Sequence, residues 1–271
     1  YKGCSHMCRY CFVQLKYAMI ERGYTNEEQV ERIWDREEVT MLLNRHCYLA
    51  ANGQRREALN TLWVTRPEHR ATASLGYNNG YYVGMEEIVR HFVLDEDARV
   101  RASLVLFTAA DPALGEDALG LGMARMDTLT TPLVYLADDG RSARYLGYRL
   151  GFQAAGKPDG DADCYLDFGL VFADLLKEDG AWKLWHLVLE HDHTVTVGEH
   201  YEDLPVLRDQ YTDPLEEQNG TPTIQTPVYQ PLFGWEYMWQ DMPKPYYTYS
   251  EAESYGPGGN LGKPYYERER R

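Results

Sequence analysis

The sequence predicts an α+β fold in which a curved antiparallel sheet is wrapped by N-terminal helices and followed by an extended Pro- and Tyr-rich C-terminal arm. Three observations carry this. From Met126 to His193, β-rich runs are broken at Asp139-Gly140 and Asp179-Gly180, and Asp-Gly supplies the positive-φ residues that tight hairpin turns need. After Thr25, the residues Val30, Ile33, Trp34, Val39, Leu42, Leu43, Cys47 and Tyr48 form an apolar stripe at helical spacing. From Tyr201 onward lie ten of the 22 tyrosines and nine of the 13 prolines. Proline fixes φ and removes a donor, so regular structure is not expected there. Yet Trp235, Tyr237, Trp239, Tyr246, Tyr247 and Tyr249 are too aromatic for a solvated linker, so the segment should wrap over its own domain or a neighbouring subunit.

In chain order, residues 5–22 read as a helix, with Met7, Phe12, Leu15, Met19 and Ile20 at helical spacing and Gly23 ending the run. Thr25-Asn26-Glu27-Glu28 has the form of a capping box and opens the long helix through about Ala51, with Asn52-Gly53 as its stop. A short helix follows over Arg56–Trp63. Short strands are expected at Arg70–Ser74 and Tyr81–Val83, around the Asn78-Asn79-Gly80 turn. Met85–Val93 is amphipathic and helical, and a further helix spans Arg99–Phe107 before a Gly- and Ala-rich loop. This divides the chain into an N-terminal helical extension (1–24), an α+β domain (25–200) and the arm (201–271), with no internal repeat at solenoid periods.

Composition narrows the function classes. At 271 residues, 44% hydrophobic and 13% aromatic, the chain can bury a sizeable core. A net charge of −15 argues against nucleic acid, whose binding needs clustered Lys and Arg to displace counterions. No run approaches the roughly 18 apolar residues of a membrane span. The first segment carries Cys, His, Arg and Lys rather than an apolar signal region, so a cytoplasmic location is the expectation. Cys47 and Cys164 lie in core elements and read as reduced, buried thiols.

Several polar groups stand near or inside the strands: Asp127, His186, Glu190, His191 and His193. Strand alternation would point His191 and His193 together and His186 away. Two imidazoles on one face can hold zinc only with further ligands from elsewhere, so no metal is expected there. Cys4-x₃-Cys8-x₂-Cys11, followed by Phe12, resembles the cluster motif of radical S-adenosylmethionine enzymes, with His6 as a possible fourth ligand. The βα units that follow it in those enzymes are absent, and on a helix positions 4, 8 and 11 share a face, which equally describes a buried thiol stripe. Tyr77, Tyr81 and Tyr82 flank the Asn-Asn-Gly turn, where aromatic walls suit a flat ligand or ordinary core packing.

The order of helices, short strands, helix and long antiparallel strands resembles the SnoaL-like, or nuclear-transport-factor-2-like, cone-shaped α+β barrel. The residues carrying the likeness are Asn44-Arg45-His46-Cys47-Tyr48, Gly80-Tyr81-Tyr82-Val83-Gly84-Met85-Glu86-Glu87-Ile88, Thr130-Thr131-Pro132 and Glu178-Asp179-Gly180-Ala181-Trp182-Lys183-Leu184-Trp185-His186. They resemble the long-tailed bacterial SnoaL-like branch, distantly similar to bile-acid and scytalone dehydratases. Dehydratase-type members place a Tyr and an Asp on the long helix, a His at the start of the sheet and a basic group on the last strand. Here Asp127 falls at the His position, His46 near the helix Tyr with Tyr48 close by, Ala51 or Asn52 at the helix Asp, and His191 at the basic position.

What the resemblance implies is cofactor-independent lyase or isomerase chemistry on a hydroxylated, ring-containing small molecule. Such chemistry needs one group to take a proton and another to deliver one. Asp127 is the candidate base, His191 and His46 the proton partners and Tyr48 an orienting hydroxyl. Tyr81, Tyr82, His193 and Asn52 are candidate ligand contacts. No cofactor is expected, and a homo-oligomer (dimer or trimer) through the arm is. Two other readings stay open: a non-catalytic ligand-binding or assembly subunit on the same fold, and a metal or iron–sulfur protein using Cys4, Cys8 and Cys11.

Overall fold

The computed structural model describes residues 27–198, 220–226 and 243–261. The expected helix at 5–22, the Thr25-Asn26 half of the capping box, Cys4, His6, Cys8, Cys11 and the tail residues Trp235, Tyr237 and Trp239 lie outside the described residues.

The helical layer opens with α1 (Glu27–Ala51), which buries Val30, Val39, Leu42, Leu43, His46 and Ala50 and ends at Gly53, φ +72°. Next come α2 (Arg55–Leu62) and α3 (Pro67–Thr72). The strand expected from Arg70 is instead the last turn of α3. Pro67 at the first turn, after an extended Arg66, opens a helix because the missing N–H falls where no intrahelical bond is made. A short hairpin follows around the expected turn, with β2 (Gly80–Val83) where it was expected and β1 (Ser74–Tyr77) starting where the expected first strand ended. The two helices expected over 85–107 are one continuous helical path: α4 (Met85–Val89), a π-helical turn over Arg90–Asp95, then α5 (Glu96–Ala110).

Four long strands complete the sheet: β3 (Met123–Leu136), β4 (Ser142–Gly156), β5 (Ala162–Glu178) and β6 (Ala181–Thr196). Asp179 and Gly180 adopt φ +50° and +81°, the two consecutive left-handed residues of a tight hairpin between β5 and β6. With β7 (Ile224–Gln225), the strand order is β3-β4-β5-β6-β1-β2-β7. Pairing is antiparallel except that β1 lies parallel to β6. The sheet is curved and unclosed. Register shifts between Thr130 and Leu133, at Phe168/Gly169 and at Asp174/Leu175 bend the strands where an extra residue is inserted.

The two faces bury different partners. The face turned to the helices carries Tyr145, Val171, Ala173, Leu175, Leu184 and Leu187 against α1, α2 and Trp63. On the opposite face Tyr81, Phe172 and Val188 are covered by Tyr255. The described part of the tail is held to its own sheet edge by backbone: Asp138 and Asp139 donate to the carbonyls of Tyr246 and Tyr247, both at 3.0 Å.

Candidate active site

A chain of alternating charge crosses the helix-facing side of β3–β6, and strand register builds it. Asp127 pairs with Gly151 and Gly151 with Asp167, while Arg149 pairs with Gly169 and Gly169 with His191, so the side chains of both rows rise from one face. Glycine at the middle of each row leaves room for them. A Cβ at Gly151 would sit 3.1–3.3 Å from Asp127 Oδ1, Arg149 Nη2 and Asp167 Oδ2. At Gly169 a Cβ would lie 1.8 Å from the carbonyl oxygen of Glu190, so the bulge needs glycine.

In that space Arg149 Nε donates to Asp127 Oδ1 at 2.8 Å and Nη1 meets Asp167 Oδ2 at 2.6 Å. Arg125 Nε reaches the other oxygen of Asp127 at 3.3 Å. His191 Nδ1 lies 2.8 Å from Asp167 Oδ1. The Asp127, Arg149, Asp167 and His191 side chains are 8% exposed or less, while that of Arg125 is 25% exposed. Arg125 therefore marks the solvent side of the chain.

Burial alone would raise both carboxyls. It is outweighed at Asp127 by the charges and hydrogen bonds of Arg149 and Arg125, which hold that carboxyl well below the usual range. At Asp167, Arg149 and then His191 overcome burial in the same way. Asp127 is thus a firmly ionised group, a good counter-charge and a weak base. Burial pushes the His46 imidazole down to about 4 against the opposing charge of Asp127, so His46 is neutral at physiological pH. Burial, helped by Asp127, lifts the Cys47 thiol to about 12.

Aromatic rings line the helical side. His46 stacks on Phe92 (5.2 Å, 17°) and tilts against Trp63 (6.1 Å), while His91 stacks on Tyr82 (4.0 Å, 3°). His91 and Phe92 are adjacent in the π-helical turn and both are buried. His46 Nε2 and Trp63 Nε1 are buried without a hydrogen-bond partner among the described residues.

Of the residues singled out from sequence, Asp127, His191 and His46 share this interior, and Tyr82 borders it. The others stand elsewhere. Tyr48 is 73% exposed on the outer side of α1, and Asn52 is exposed just after it. Tyr81 is buried on the opposite sheet face with Phe172 and Val188. His193 pairs with Phe168 on that opposite face too, because the inserted Asp192 reverses the alternation that would have set it beside His191. Among the described residues no group of three or more His, Cys, Asp or Glu is arranged to hold a metal ion. Arg149 and Asp167 were not anticipated. Their signal in the sequence is a charged residue two positions from a glycine inside an otherwise apolar strand run, Arg149-Leu150-Gly151 and Asp167-Phe168-Gly169.

The element order, helices, a short hairpin, a further helix and four long antiparallel strands, is the one expected from the sequence. No family model matches the chain, and no curated protein matches it. Among solved structures it is similar to a Novosphingobium aromaticivorans protein named as a scytalone dehydratase, at 11% identity over 62% of this chain and 91% of that one, TM-score 0.44. It is also similar to hexachlorocyclohexane dehydrochlorinase LinA-type3 from Novosphingobium barchaimii, at 13% identity over 64% and 97%, TM-score 0.43. A Streptomyces avermitilis protein named as a dehydratase of the NTF2-like family matches at 15% identity over 57% and 94%, TM-score 0.42. At these identities and scores the likeness carries nothing about activity. No helix among the described residues is long and apolar enough to cross a membrane.

Proposed function

We propose that this protein is a cofactor-independent lyase that removes water from a hydroxylated, ring-containing small molecule by proton transfer. The observation that carries the reading is the buried His191–Asp167 pair, 2.8 Å apart, set beside an ionised Asp127 and two guanidinium groups. His191 Nδ1 lies 2.8 Å from Asp167 Oδ1 outside hydrogen-bond alignment; a small turn of the ring in the Nδ1–H tautomer would let it donate there and leave the Nε2 lone pair for a substrate proton. Asp167 fixes the ring and stabilises the imidazolium once it forms. The electron pair left on carbon becomes the new double bond as the C–O bond breaks, and the imidazolium returns its proton to the departing hydroxide, so that water leaves. Arg125, the exposed end of the chain, supplies positive charge for the oxygen that becomes negative in passing. Asp127, too strongly ionised to serve as the base, positions both arginines. His46 is a neutral partner on the opposite wall.

Turnover of a panel of hydroxylated ring compounds, followed by the absorbance of the new double bond, tests this. His191→Gln should cost about 10²–10⁴ in rate, the usual worth of a positioned acid–base group, with the far-ultraviolet spectrum unchanged. A folded His191→Gln protein that turns over a substrate at the parent rate would sink the proposal.

A second reading, a ligand-binding or assembly subunit without catalysis, is favoured by the near-complete burial of Asp127, Arg149 and Asp167, since such ion-pair networks also serve purely as structure. It predicts ligand binding with no turnover by the parent protein. The homo-oligomer remains a proposal. Met126, Tyr148, Leu150 and Phe168, 40–58% exposed on the face turned away from the helices, support it. Sedimentation of the full chain decides it, and a monomer at high concentration would end it.

A further inference from the structure

Away from the interior, the outer side of α1 carries apolar side chains into solvent: Ile33 is 49% exposed and Met41 53%. They border a cleft of about 630 Å³ that runs between α1, the end of α2 and the β5–β6 turn. That volume lies within the range of small-molecule sites, roughly 300–1,000 Å³. Its walls include two indoles held in place. Trp182 donates from Nε1 to the carboxylate of Asp35 at 2.9 Å, and Trp34 donates to Glu38 at 2.7 Å. Fixed aromatic faces lose little entropy when a ring packs against them.

Charge distinguishes the cleft from a mere apolar notch. In a chain where acids outnumber bases 42 to 27, a lysine or arginine is surrounded by potential partners. Two that line this cleft, together with Glu37 and Glu38, nevertheless form no ion pair among the described residues. Lys183 Nζ donates to a neutral acceptor, the carbonyl oxygen of Thr61, at 2.6 Å, and Thr61 lines the cleft as well. Arg45 enters no ion pair among the described residues and lies one turn beyond Met41 on α1. Of the acids in the wall, Glu38 is engaged by Trp34, and Glu37 stands two turns from Arg45.

We propose that this cleft is a second binding site, for a small aromatic anion: a ring bearing a carboxylate or sulfonate, packed against Trp34, Trp182 and Met41 with its acid group on Arg45 and Lys183. The site is independent of the lyase reading, since none of these side chains takes part in the charged chain of the interior.

The full chain is titrated with 1-anilinonaphthalene-8-sulfonate, an aromatic anion whose fluorescence rises on transfer to an apolar wall, and in parallel with neutral N-phenyl-1-naphthylamine. One saturable site is expected, with the anion bound more tightly than the neutral probe. Arg45→Gln, an exposed change that leaves packing intact, should weaken the anion about fivefold, the loss of one charge-assisted contact of about 1 kcal/mol. It should leave the neutral probe unaffected. Trp34→Ala should remove binding of both, while Tyr148→Ser, in the other exposed apolar region, should remove neither. Anion affinity unchanged by Arg45→Gln, binding lost in Tyr148→Ser, or a cleft closed by a second copy (self-association in sedimentation abolished by Trp34→Ala) would each overturn the proposal.

Discussion

Two buried polar clusters stand on opposite faces of the same strands and reach opposite charge states. On the helix-facing side, each carboxylate has a cationic or imidazole partner within 2.8 Å, and both Asp127 and Asp167 are held ionised. On the other face, Asp174 has, among the described residues, only the Tyr255 backbone N–H at 2.6 Å and Arg144 at 3.8 Å. There burial wins, and the Asp174 carboxyl is pushed up to about 7. Glu190 on that face is also raised well above the usual carboxylate range, by burial first and by the charge of Asp192 second. Residue type and depth are matched, so the partner decides. A guanidinium shared by two acids outweighs desolvation; a single hydrogen bond with a distant charge does not.

The largest effect should come from breaking the inner cluster at its shared member. Arg149→Met leaves two buried carboxylates without their common cation and is expected to cost about 3–5 kcal/mol or more. Urea unfolding measures this, and a loss below about 1 kcal/mol would mean the chain is dispensable to the fold.

A smaller effect, with a distinctive pH signature, belongs to the outer cluster. Asp174 has a folded pKa near 7 against an unfolded value of 3.8, so between those limits the folded state holds the extra proton. Its contribution is fully present below the unfolded value and is lost as pH rises through about 7. Asp174→Asn keeps an acceptor for the Tyr255 amide and removes that titration. The variant should therefore match the parent near pH 4 and gain on it steadily toward pH 8, by on the order of 1–4 kcal/mol. Parallel stability curves across this range would show that Asp174 is as ionised as Asp127 and erase the contrast.

The smallest effect sharpens the contrast without breaking it. One histidine on each side has no carboxylate paired with it among the described residues: burial brings His46 to about 4 and His186, bonded to Ser74 at 2.8 Å, to about 3. Both ring resonances should stay constant in NMR spectra from pH 8 down to 5. A midpoint near 6.5 for either would place that ring in contact with water.

The sequence by itself determined the parts whose physics is short-range. Asp179-Gly180 can close a hairpin because two adjacent residues tolerate left-handed φ, and the stripe from Val30 to Leu43 marks a helix whatever it packs against. The long strands and the helix–sheet division followed from such local signals. Asp127, His46 and His191 were legible as polar residues in apolar surroundings. Their partners were not, since Arg149 and Asp167 meet them only across a register spanning β3 to β6. Only the tertiary structure decided which side chains share a face. One inserted residue, Asp192, turns His193 away from His191, and the same period-2 rule that holds from His186 to His191 fails at His193 once a bulge intervenes. The exposure of Tyr48 and the burial of Tyr81 away from the interior have the same origin: face is a property of packing, and a single sequence carries no record of where the opposing surface lies.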